Sequence, residues 1–97
     1  MIRVTWDDAP LDVQRLVVHR ELPRRYLSAV RRLALRHGLF VVTSGARPQP
    51  GDFWLGCSPD GGWGDADPRA VGWVGVFDLE VGLAALGAGE FGAVLAG

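Results

Sequence analysis

Apolar and polar positions alternate from the start of the chain. Ile2, Val4 and Trp6 fall on one side of an extended segment and Arg3 and Thr5 on the other, which predicts a half-buried strand. Asp7-Asp8-Ala9-Pro10 follows with turn chemistry. From Leu11 to Leu22 two readings compete. Asp8 as N-cap, Pro10 at the first helical position and Asp12 in the first turn suit a helix, yet at about 100° per residue the apolar side chains scatter and Arg20 falls between Val13 and Val17. Leu16-Val17-Val18 is rich in β-branched residues, and Pro23 disfavours helical backbone at Leu22. A strand that pairs back on the first is the better of the two readings.

The segment from Pro23 to His37 carries helix signals at both ends. Pro23 suits the first turn, Gly38 suits the position just past the C-terminus, and Arg36 and His37 sit at the negative end of the dipole. Tyr26, Leu27, Val30, Leu33, Ala34 and His37 share one face; Arg24, Arg25, Ser28, Arg31, Arg32 and Arg36 share the other, with Leu35 the one large apolar residue among the arginines. Leu39-Phe40-Val41-Val42 then predicts a short buried strand, and residues 44–51 a loop rich in Gly and Pro. Phe53–Cys57 and Val71–Phe77 predict two further strands, expected to pair antiparallel across the loop from Ser58 to Ala70. In the second of them Val71, Trp73, Gly75 and Phe77 share a face, which places an aromatic ring over a glycine and reads as sheet core. Asp78 is an N-cap candidate. A single helix beyond it would set Glu90 among Leu79, Leu83, Leu86 and Val94, so a break at Gly87-Ala88-Gly89 and two short helical pieces are expected.

The expected fold class is therefore α+β: a small antiparallel or mixed sheet of about five strands, one basic amphipathic helix packed on a face, and short C-terminal helices. A chain of 97 residues supports one domain, residues 1–97, and its 48% apolar and 22% charged content lies in the globular range. The lone cysteine, Cys57, has no partner for an internal disulfide, and no leader-like segment opens the sequence, so a cytoplasmic setting is expected. Val81 to Gly97 is short for a membrane span, carries Glu90 and is interrupted by glycines, so no membrane association is expected.

Charge changes the picture. The net value of −1 hides nine arginines against four acidic residues in the first 47 positions, and one arginine against seven acidic residues in the last 50. Lysine is absent, which fits a GC-rich coding sequence and weakens any argument from arginine geometry alone.

Four constellations carry candidate chemistry. Arg24, Arg25, Arg31, Arg32 and Arg36 on one helical face suit phosphates, although the slightly negative net charge and the lack of a helix-turn-helix, zinc-finger or RNP-type motif weigh against nucleic acid. Trp54, Trp73 and Phe77 suit base stacking, but the acidic residues near them, Asp52 among them, would repel a phosphate backbone. The loop holding Asp60, Trp63, Asp65 and Asp67 lacks the spacing of a calcium loop, while Trp63 among glycines and acids suits a protein-interface anchor. Cys57 with His19 or His37 is a nucleophile–base pairing without a local motif, and a buried, inert thiol is expected.

Neither a metal, a cofactor nor catalysis is expected. The function expected from the sequence is a non-enzymatic protein-interaction module, such as a small inhibitor, an antitoxin-like protein or an accessory subunit. Trp63, Asp60, Asp65 and Asp67 would bind the partner, which is another protein or a second copy of the chain in a homodimer. The alternative is a nucleic-acid binder using Arg24, Arg25, Arg31, Arg32 and Arg36.

Overall fold

The alternation at the N-terminus becomes a hairpin. Strand β1 (Ile2–Trp6) pairs antiparallel with β2 (Ala9–Val13), with Ile2 opposite Val13 and Trp6 opposite Ala9. The turn takes fewer residues than its composition suggests. Asp8 adopts φ of 62°, a left-handed conformation that Asp tolerates better than most side chains, and Ala9 and Pro10 already belong to β2. Pro10 is admissible there because β2 has a partner on one side only.

The computed structural model describes residues 1–6, 8–43, 45–59 and 70–87. Among them lie six strands in two sheets and two helices, a small α+β domain. After Gln14 the chain leaves the hairpin as β3 (Arg15–Val18), so the segment read as one strand from Leu11 onward is two strands in different sheets. Helix α1 (Arg24–His37) follows, closed by Gly38 at φ 65°, and leads to β4 (Phe40–Thr43). Next come β5 (Asp52–Gly56), β6 (Val71–Gly75), one turn of 3-10 helix (Val76–Asp78) and α2 (Leu79–Ala85).

The second sheet has the order β4-β3-β5-β6, and every pair in it is parallel. This overturns both the antiparallel pairing of the last two strands and the single antiparallel or mixed sheet. The physical reason lies in the connections. A parallel pair needs a crossover of roughly a dozen residues, which the stretch between Gly56 and Val71 supplies, and an antiparallel pair needs only a short turn. The apolar triplets Leu16-Val17-Val18 and Phe53-Trp54-Leu55 fit the central pair of such a sheet, where both faces are buried.

One face of this sheet meets the hairpin and both helices. Leu16, Val18, Phe53 and Leu55 pack there with Val4, Leu11 and Val13 of the hairpin, with Tyr26, Ala29, Val30, Leu33 and Ala34 of α1, and with Leu79, Leu83 and Leu86 at α2. Trp6 and Phe53 meet edge to face, with centroids 5.7 Å apart and planes at 76°, tying β1 to β5. The ring-over-glycine contact is real but sits at Gly72, not Gly75. A Cβ at Gly72 would lie 2.7 Å from the Phe53 ring, whereas one at Gly75 would meet nothing within 4 Å. Register explains the shift: Gly72 is the neighbour of Phe53 across the β5–β6 ladder.

Three further expectations change. Val76 and Phe77 leave the sheet in the 3-10 turn, so Phe77 is solvent-exposed and not sheet core. Strand β4 is an edge strand: Leu39 is buried, but Phe40 and Val41 are exposed. Asp78 occupies the N-cap position of α2 without making a capping hydrogen bond, and Gly87 follows that helix at φ 83°. The second helical piece expected past Gly87 lies outside the described residues. No described helix is long and apolar enough to cross a membrane.

Candidate interaction surface

Helix α1 separates its residues as the periodicity predicts. Its buried side faces the sheet, and Arg24, Arg25, Arg31, Arg32 and Arg36 are all exposed. Leu35 stands among them 87% exposed. Arg25 reaches toward the acidic half of the chain. Its guanidinium lies 3.4 Å from Glu80 of α2, donates to the Tyr26 hydroxyl at 2.6 Å, and stacks over the Tyr26 ring at 4.6 Å. Tyr26 in turn donates to Glu80 at 3.1 Å, so one carboxylate joins the two helices. The side chains of Arg24, Arg31 and Arg36 make no hydrogen bond or ion pair with any described residue.

Beside α1 runs the open edge of the parallel sheet. Strand β4 pairs with β3 on its inner side and with no described strand on its outer side. Natural edges are commonly blunted by Lys, Pro or a bulge, yet this one reads Phe-Val-Val-Thr, with Phe40 72% exposed. A second exposed apolar group, Trp73, Val76, Phe77 and Val81, lies at the end of β6 and the start of α2.

The reverse face of the sheet holds the most buried charge. Arg15 and Asp52 are register neighbours on β3 and β5, joined by two hydrogen bonds of 2.7 Å, and Asp52 is only 1% exposed. Its carboxylate also accepts the Gln49 amide at 2.9 Å and the Trp54 indole at 3.3 Å, while Arg15 donates to the Arg47 carbonyl at 2.6 Å. Asp52 therefore belongs to no acidic rim. Its charge is neutralised and buried, and Trp54, at its side in a small cluster with Val17 and Val71, presents no surface on which a base could stack.

Sequence reasoning missed this pair, although a signal exists. Arg15 and Asp52 each stand immediately before an apolar triplet, and parallel pairing of two such segments in register sets the two charged heads side by side.

A different ion pair sits on the hairpin. Arg3 and Asp12 are exposed cross-strand partners at 2.7 Å. The hydrogen bond from Arg3 holds the Asp12 carboxyl below the usual carboxylate range, and the same contact raises Arg3.

Of the remaining candidates, Asp60, Trp63, Asp65 and Asp67 lie outside the described residues. Cys57 is half-buried against the Val17, Trp54 and Val71 cluster. His37 sits in the last turn of α1, where its carbonyl accepts the N-terminal ammonium at 2.6 Å. His19 follows β3 and accepts the Glu21 amide on Nδ1 at 3.2 Å. Among the described residues no group of three or more His, Cys, Asp or Glu side chains is placed to hold a metal ion.

No family model matches the chain, and neither a curated protein nor a solved structure matches it.

Proposed function

We propose that this chain is a non-enzymatic protein-interaction module that receives an acidic partner strand along the open edge of β4, with the arginine face of α1 steering the approach. The observation that carries the reading is the unblunted edge itself, four residues with Phe40 and Val41 exposed. An extended segment added there gains main-chain hydrogen bonds from the edge and side-chain contacts on alternate residues. Charge favours an acidic partner over a second copy of the chain. Arg31 borders a cavity that Val41, Val42 and Thr43 also line, so two copies joined edge to edge would bring like charges together across the seam.

The test compares two exposed phenylalanines. Phe40→Asp and Phe77→Asp are both expected to fold, and partner recovery from the cells of origin, quantified against the unmodified chain, is expected to collapse for Phe40→Asp alone. Partners so recovered should be acidic, and replacing Arg31 and Arg32 by alanine should mainly slow their association. Loss with Phe77→Asp and retention with Phe40→Asp would move the interface to the β6–α2 end and end this reading.

A second reading rests on a separate observation, the joint exposure of Arg24, Arg25, Arg31, Arg32 and Arg36 on one helix. A nucleic acid bound there would show affinity that falls steeply with salt. Fluorescence anisotropy of labelled single-stranded DNA, duplex DNA and RNA at low and near-physiological salt decides it, and no binding at low salt removes it.

A further inference from the structure

All four strands of the parallel sheet end at the same rim, and the order in which strands are added reverses at β3, with β4 on one side and β5 on the other. In open parallel sheets ligands are held outside the carboxyl ends of the strands, at the crevice where the strand order reverses, which here is between β3 and β5. The same rim holds a cavity of about 280 Å³ one strand away from that crevice, between α1 and the ends of β3 and β4, and the case for it rests on its lining.

Its apolar side includes Leu22 and Leu27, both half-buried. Its polar side is made by His19 and Arg20 just after β3, Arg31 from α1 and Thr43 at the end of β4. Among the described residues no acidic side chain lines it. The side chains of Arg20 and Arg31 make no hydrogen bond or ion pair with any described residue. His19 Nδ1 accepts the Glu21 amide, which leaves Nε2 as the ring's donor. The cavity thus joins two guanidinium groups, an imidazole N–H and a hydroxyl to an apolar wall, with no carboxylate from the described residues in its lining.

We infer that this cavity is a binding site for a small organic anion, a carboxylate or phosphate monoester on an apolar body of about one ring. Guanidinium groups suit either head, since both offer paired oxygens to a planar fork of donors. The volume equals roughly nine waters at about 30 Å³ each, enough for the head and one ring and too little for a dinucleotide. This site shares Arg31, Val41, Val42 and Thr43 with the proposed docking edge but not Phe40, so a Phe40 variant tests strand docking without removing a lining residue.

Titration of the ¹⁵N-labelled full chain at constant ionic strength tests the assignment, with phenyl phosphate, phenylacetate and benzyl alcohol as probes. Expected are saturable shifts at His19, Arg31 and Thr43 with one or both anions, and none with the neutral alcohol. Phosphate alone or carboxylate alone identifies the head. Arg31→Gln should weaken binding at least about tenfold, the size of one lost charge-assisted hydrogen bond. Arg36→Gln removes the same charge from the same helix outside the cavity and should leave affinity unchanged. Equal weakening by both variants, equal shifts with benzyl alcohol, or no saturation at millimolar probe would overturn the proposal. Phe40→Asp should leave the titration intact, so failure of strand docking and failure of this site are read separately.

Discussion

Arg15 and Arg31 are the same side chain in opposite circumstances. Arg15 lies nine residues before α1, flanks a central strand, and spends its donors on Asp52 and the Arg47 carbonyl. Arg31 of α1 lines a cavity that no acidic residue among those described lines. The first has its charge matched inside the molecule and acts as a structural clamp between β3 and β5. The second has its donors left over. A count of arginines treats the two alike, and only the pairing of the strands distinguishes them. What separates structure from recognition here is therefore the bookkeeping of donors and acceptors, not residue type or net charge.

The largest expected effect breaks the clamp. Asp52→Ala strands a mostly buried guanidinium together with the Gln49 and Trp54 donors, and is expected to cost about 3–5 kcal/mol in urea unfolding followed by tryptophan fluorescence. That is a large part of the roughly 5–15 kcal/mol typical of a whole domain. A loss below about 1 kcal/mol would place Arg15 with the surface arginines and erase the distinction.

An intermediate case is the Arg25–Glu80 contact, where the arginine side chain is 69% exposed. Glu80→Ala removes this contact and the Tyr26 acceptor, and should lower stability by about 1 kcal/mol, less at high salt. A cost as large as that of Asp52→Ala would show that the link between α1 and α2 is a clamp of the first kind.

The smallest effect belongs to Arg3–Asp12. Arg3 lowers the Asp12 carboxyl in the folded state, so the contribution is complete above the usual carboxylate range and fades as pH falls through the lower, folded value. The unfolding midpoints of the wild type and Asp12→Asn should differ slightly at neutral pH and converge in acid. A gap that persists in acid would assign the effect to strand pairing and not to charge.

Period and capping made some of the fold legible before any coordinates. The two-residue alternation of Ile2, Val4 and Trp6 marked β1, and Pro23, Gly38 and the arginine stripe marked α1 to within a residue. Parallel pairing was misread because strand direction is not written in the strands themselves; the long connection after Gly56 was the available clue. The exposure of Phe40 was misread for a related reason. Phe-Val-Val looks buried when taken alone, and it becomes an edge only once β3 has β5 on its other side. The arginine stripe was visible at once as chemistry. The cavity was not, because it gathers His19, Arg31 and Thr43 from three separate segments.

The parallel sheet also sets an order of events in folding. Hairpin β1–β2 closes through a tight turn and can form in about 1–10 μs. No ladder of the second sheet has that advantage: Leu16 must find Val41 and Phe53, and Trp54 must find Trp73, each across a long closure. Non-local topology of this kind slows folding by orders of magnitude relative to local topology. During that interval the apolar triplets of β3 and β5 are unpaired in a chain whose hairpin has already formed. A nascent copy is then exposed to association with its neighbours, and rapid dilution is the condition under which this chain should refold best.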